Sequence, residues 1–188
     1  MSEPLLQVVD LVAGYRGPVV GPLSFTVRAG EIVGLTGPNG CGKSTILRAI
    51  IGSVRVFSGS VVRRAGTRVM VQTQRPVKLP EMPITGHELL HLTRAKDRDA
   101  PPALQPLLDP RVDRLSGGQF QLLQVWAALG SPADLMYLDE PTNNMDPGTI
   151  ETLGDLLLAW REQRGVLVVT HEHEFLERVA TTIVEVGA

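Results

Sequence analysis

The sequence predicts an α/β fold, a parallel sheet clothed by helices behind an N-terminal antiparallel β layer, and three observations carry that prediction. Short apolar runs at residues 31–36, 135–138 and 166–169 have the composition of strands buried on both faces. Residues 37–45, Gly-Pro-Asn-Gly-Cys-Gly-Lys-Ser-Thr, match the phosphate-binding pattern G-x-x-x-x-G-K-[ST] at every fixed position, between a predicted strand and a predicted helix. Ahead of them, residues 5–12 and 23–27 are rich in apolar and β-branched side chains.

In chain order, residues 5–12 and 23–27 read as the β layer, with Gly17-Pro18 and Gly21-Pro22 as turns. Residues 31–36 are the strand entering the phosphate loop, and 44–51 the helix leaving it. Val61-Val62 and residues 68–71 add strands, with Ser58-Gly59 and Ala65-Gly66 as turns. Between residues 74 and 115 the texture changes, because Pro76, Pro80, Pro83, Pro101, Pro102, Pro106 and Pro110 all fall there. No long helix crosses such an interval undisturbed. It reads as a small, shortened helical lobe, residues 75–130 with the helix that follows, inserted within a single domain of residues 1–188. Residues 87–96 are its best helix and 97–102 a loop. A helix over 120–129, a strand over 135–138, a helix over 149–163, a strand over 166–169 and a helix over 172–180 complete the core.

With 188 residues, the chain has room for one catalytic unit. A net charge of −2 with both signs interspersed gives no global reason to expect nucleic acid. The single cysteine, Cys41, forms no internal disulfide, which suits a reducing compartment. No apolar run approaches the roughly 20 residues of a spanning helix, and no signal peptide is visible, so membrane attachment is expected through a partner.

The chemistry follows from the spacing. Glycine-permitted turns at Gly37, Gly40 and Gly42 let backbone N–H groups, including those of Asn39 and Cys41, converge on phosphate oxygens. The helix that follows offers its positive end. Lys43 would reach the β- and γ-phosphates, and the Ser44 hydroxyl, beside Thr45, would ligate Mg²⁺. The expected ligand is a nucleoside triphosphate. Asp139, at the carboxyl end of an apolar strand, can hold the same Mg²⁺, and Glu140 can orient or deprotonate an attacking water. Two carboxylates in a plain core would be costly, so a nearby cation is the economical explanation.

Residues 115–119, Leu-Ser-Gly-Gly-Gln, precede the helix and strand that lead to Asp139-Glu140. Together with the phosphate loop, they resemble the ATP-binding cassette (ABC) ATPases over nearly the whole chain, which implies a P-loop NTPase core. In that resemblance residues 37–45 look like Walker A, 115–119 like the signature and 135–139 like Walker B, with Glu140 the adjoining catalytic glutamate. Asn143-Asn144-Met145-Asp146 looks like the D-loop, His171 like the switch histidine, and Tyr15 stands where an aromatic stacks on adenine. Gln74 looks like the Q-loop glutamine, catalytic and metal-associated; Gln72 competes, and Gln74 is preferred because the strand reads as ending near Val71. Ser116, the Gly117 and Gly118 amides and Gln119 begin a helix whose positive end suits an anion. The resemblance implies that this anion is the γ-phosphate on an opposite cassette.

The implied protein is an ATP-hydrolysing subunit that dimerises around ATP, as a homodimer or with a second cassette. It would drive integral membrane subunits from the cytoplasmic face of the cell membrane. Residues 74–85 look most like the metal-ion uptake members. The rival from another class is a soluble clamp of the same family acting in DNA repair or translation. The helix after the signature lacks the arginines relatives commonly carry. His87-Glu88-Leu89-Leu90-His91 matches H-E-x-x-H, a zinc-protease pattern; its place in the proline-rich lobe and the lack of a third ligand favour a solvated or partner-facing helix.

Overall fold

The structure is a computed structural model that describes residues 3–73, 83–95 and 100–187. Strands β1 (Leu6–Gly14), β2 (Pro18–Val27) and β4 (Arg55–Arg63) form an antiparallel sheet in the order β2-β1-β4. A second sheet of five strands takes β3 (Ile32–Thr36), β5 (Val69–Gln72), β6 (Leu135–Asp139), β7 (Gly165–Val169) and β8 (Thr182–Glu185) in the order β5-β6-β7-β3-β8. Every pairing in it is parallel.

Alternation along the central strands explains their unbroken apolar runs, because successive side chains point to opposite faces. Met136, Leu138, Val166, Val168 and Ile32 join a core beneath helices α3 (Gly117–Gly130), α4 (Pro147–Trp160) and α5 (His173–Val179). Leu135, Tyr137, Leu167, Val169, Val33 and Leu35 join a second core with α1 (Lys43–Ile50) and the antiparallel layer. The sheet is therefore buried on both sides, and the loops at the carboxyl ends of β3, β6 and β7 fall along one edge. That is where an open parallel sheet places its ligands.

Three local expectations need correction, and one strand was not foreseen. Gly21-Pro22 and Ser58-Gly59 lie inside β2 and β4 rather than in turns. Both glycines take positive φ where the pairing with β1 shifts register; a Cβ on Gly59 would stand 2.2 Å from the Asp10 carbonyl oxygen, and one on Gly21 2.0 Å from that of Leu11. Glycine here marks a bulge and a close backbone approach, not a chain reversal. Helix α2 (Gly86–Leu92) stops before the predicted residue 96, since Thr93 closes it and Arg94 turns to φ +61°. Strand β8 carries only two apolar residues, Ile183 and Val184, and its composition does not announce a strand.

Two polar clips fix the ends of these elements. Arg68 grips Asp134 through two side-chain hydrogen bonds of 3.0 and 3.1 Å and through its own amide, aligning β5 with β6. The Arg68 guanidinium and amide hold the Asp134 carboxyl down to about 2. Arg164, 3% exposed, donates to the Leu129 carbonyl at the C-terminal end of α3. Among the described residues, no helix is long and apolar enough to cross a membrane.

Candidate active site

The phosphate loop joins β3 to α1 through three glycines in the left-handed region, Gly37 at φ +148°, Gly40 at +85° and Gly42 at +104°. A Cβ on Gly42 would meet Val20 at 2.8 Å, and one on Gly37 would meet the Val186 carbonyl oxygen at 2.5 Å. These positions need glycine both for conformation and for space. Gly42 also stands at the N-cap of α1, where no side chain caps the helix. Lys43, 6% exposed as a residue, folds its ammonium back to donate to the Gly37 and Pro38 carbonyls at 2.7 and 3.2 Å. The loop thus encircles a cation and opens on a helix N-terminus, a combination that attracts phosphate.

A cavity of about 300 Å³ lies on this loop, lined by Asn39, Gly40 and Gly42, by Lys43, Ser44 and Thr45 of the first turn, by Val19 of β2 and by Glu140. A wider one of about 530 Å³ adjoins it, with Gly37, Pro38 and Asn39 on one wall and His171 on another. Cys41 is half-buried, its Sγ close against Gly37.

Glu140 follows β6 and is 6% exposed. Its backbone is left-handed, φ +50°, a conformation unfavourable for an L-residue by roughly 1–2 kcal/mol. Its amide donates to the Val169 carbonyl at 2.7 Å, and its own carbonyl accepts from Asn143 N at 3.2 Å and from Gln121 Nε2 at 2.8 Å. The carboxylate Oε2 lies 2.9 Å from His171 Nδ1. An ionised carboxylate can only accept, so the imidazole then carries its hydrogen on Nδ1, and its Nε2 lies 3.7 Å from Glu172 Oε1. Asp139, one residue earlier, lines another cavity of about 570 Å³ with Leu47 and Arg48 of α1 and Thr73. Of the three predicted Mg²⁺ ligands, Ser44 and Asp139 line separate cavities along α1, and Gln74 is not among the described residues.

The signature residues lie elsewhere. Ser116 is the N-cap of α3, its hydroxyl accepting from Gln119 N at 3.2 Å while Gln119 Oε1 accepts from Ser116 N at 3.0 Å, a reciprocal capping box. Gly118 rests on the loop after Glu140, where a Cβ would come within 2.6 Å of the Asn144 carbonyl oxygen. Ser116, Gly117, Gly118 and Gln119 line neither cavity at the phosphate loop. Asp146 caps α4, accepting from Thr149 N and Oγ1 at 3.1 and 2.7 Å, and those hydrogen bonds lower its carboxyl below the usual range.

Tyr15 is half-exposed beyond β1, its hydroxyl accepting from Arg48, and it lines neither loop cavity. Val19, not anticipated from sequence, does line one. Gln74 lies outside the described residues. Gln72 ends β5, one residue later than expected, and is 6% exposed. In the H-E-x-x-H segment, Glu88 Oε2 accepts from Thr85 N and Oγ1 at 2.7 and 3.0 Å, completing a second capping box. Its glutamate is committed to starting α2, and His87 pairs with Asp109 at 3.4 Å. Among the described residues no three His, Cys, Asp or Glu side chains cluster as metal ligands.

Comparison with known proteins gives the family. The family model described as "ABC transporter" matches residues 20–143. The zinc import ATP-binding protein ZnuC of Paracoccus denitrificans is 38% identical over 192 residues, an alignment covering 96% of this chain and 75% of that protein. ZnuC of Marinobacter nauticus is 31% identical over 180 residues, covering 92% and 70%. Among solved structures, one described as the ATP binding subunit of an ABC transporter superposes with a TM-score of 0.78 at 27% identity, covering 96% of this chain and 85% of that one.

Proposed function

The chain belongs to the ABC transporter family as an ATP-binding, ATP-hydrolysing subunit, and from that membership we propose that it powers the import of a metal ion through separate membrane subunits. The observation that carries the mechanism is the placement of Glu140: it lines the phosphate-loop cavity with its backbone fixed and its carboxylate against His171. Members of this family work with membrane subunits and are membrane-associated; we place this one peripherally on the cytoplasmic face. Zinc is the cargo named for its relatives in Paracoccus and Marinobacter, and we assign this chain the same class of cargo. Those identities favour the transporter over a soluble clamp.

In this reading the loop amides and Lys43 bind the β- and γ-phosphates of ATP, the ammonium exchanging the Gly37 and Pro38 carbonyls for phosphate oxygens. Ser44 and Asp139 offer a hydroxyl and a carboxylate, hard oxygen donors that fit Mg²⁺. They would hold the ion, and its charge offsets that of the phosphates. Glu140 accepts the proton of the attacking water, and His171, held by Nδ1, exchanges the Glu172 carboxylate near its Nε2 for the γ-phosphate. Gln74 would join this set from the segment after β5.

Hydrolysis is completed by a second cassette, identical or different. Ser116, Gly117 and Gly118 line neither cavity at the phosphate loop of their own chain, which supports the role the family resemblance implies for their helix end, at the nucleotide of the partner cassette. ATP then holds two cassettes together, and its hydrolysis releases them.

The Glu140→Gln variant tests this. It should bind Mg-ATP with affinity close to that of the natural protein, lose turnover by about a hundredfold or more, and co-purify with a polytopic membrane protein in mild detergent. Undiminished hydrolysis would remove Glu140 from its role. An ATP-dependent soluble dimer without a membrane partner would turn the assignment to the clamp.

A further inference from the structure

Helix α3 turns an almost wholly apolar face to the core: Leu122, Leu123, Val125, Trp126 and Leu129 are all 5% exposed or less. One polar side chain shares that burial, Gln121, at 2% exposed. A buried amide is unfavourable unless hydrogen-bonded, and the partner of this one is specific: Nε2 donates 2.8 Å to the backbone carbonyl of Glu140.

That carbonyl belongs to the residue whose left-handed backbone must be held for its carboxylate to reach the site. Its amide is fixed by β7, through Val169, and its carboxylate by His171. Gln121 supplies the hold from the remaining side, from the helix that starts at Ser116. One turn earlier on that helix, Gly118 lies against the backbone of Asn144, so the contact is braced by a close approach between α3 and the loop after β6.

We propose that Gln121 is a positioning residue for ATP hydrolysis, orienting the Glu140 carboxylate through its backbone. The inference rests on the role given to Glu140 above. Stability does not depend heavily on this hydrogen bond, because the Glu140 carbonyl keeps its bond from Asn143 N when Gln121 is replaced. What is lost is direction, and a displacement of about 1 Å at a reacting group is enough to cost on the order of a hundredfold in rate.

The test compares Gln121→Met, which keeps length and helix preference but has no donor, with Gln121→Asn, whose amide falls one methylene short. Both should lower kcat by about tenfold or more while KM and the dissociation constant for ATP stay within about twofold and the melting temperature barely moves. Added to Glu140→Gln, Gln121→Met should lower the residual turnover no further, since the group it orients is already gone. Full turnover in either single variant overturns the proposal. So does a parallel fall in kcat, nucleotide affinity and melting temperature, which would make Gln121 a packing residue. Failure of the functional reading looks different: turnover would survive in Glu140→Gln itself.

Discussion

Helices α1 and α3 both begin at glycine-rich segments that invite an anion, yet their first turns are finished in opposite ways. At α1 the N-cap is Gly42, no side chain caps the turn and no acidic residue occupies it. At α3 the Ser116 hydroxyl and Gln119 side chain satisfy one another's backbone amides. The α2 and α4 starts resemble α3, closed by Thr85 with Glu88 and by Asp146. The difference separates a site built to receive phosphate within one chain from a helix end that is already self-satisfied there. An anion meeting α3 must displace or share the Ser116–Gln119 box, so contact at that end is conditional in a way that contact at α1 is not.

Closing α1 breaks the contrast most severely. Gly42→Ala places a methyl 2.8 Å from the Val20 side chain on a backbone of φ +104°, a strain of about 1–3 kcal/mol that the loop relieves by changing shape. Affinity of the isolated chain for ATP should fall about a hundredfold, read by equilibrium titration with a fluorescent nucleotide; unchanged affinity would show that loop shape does not govern binding. Opening α3 is milder. Ser116→Ala removes the cap at about 1 kcal/mol of stability, visible in urea unfolding, and leaves ATP affinity of the single chain untouched. A large drop in that affinity would place α3 in its own chain's nucleotide site.

The smallest effect sharpens the comparison by titrating one capped start. Hydrogen bonds from Thr149 lower the Asp146 carboxyl below its ordinary value of 3.8. Its contribution to stability is therefore complete above about pH 4 and is lost as pH falls through the lowered value. Asn caps nearly as well without titrating, so Asp146→Asn should flatten the fall in melting temperature below about pH 4. An unaltered acid limb would assign that fall to other carboxylates, Asp134 on Arg68 foremost.

The difference between α1 and α3 also separates what was legible in the sequence from what was not. The phosphate loop is legible because its chemistry demands glycine and lysine at fixed intervals, and the central strands because burial on both faces leaves runs such as Val166-Leu167-Val168-Val169 without a polar interruption. Gly21 and Gly59 mislead, since a bulge and a turn recruit glycine for the same backbone freedom. The H-E-x-x-H segment misleads for a related reason: Thr85 and Glu88 form a capping box, which shares its glutamate with the metal pattern. Val19 and Gln121 are invisible because their importance lies in contacts across long sequence separations. A glutamine inside an apolar helical run was the one available signal for the second.

Arg164 gives α3 a property its sequence alone would not. The guanidinium bonded to Leu129 pins the last turn to the sheet, while Gly118 seats the first turn on Asn144. Fastened to the core at both ends, the helix has no loose end from which to fray, and Gln121 reaches the Glu140 carbonyl from a support anchored on either side.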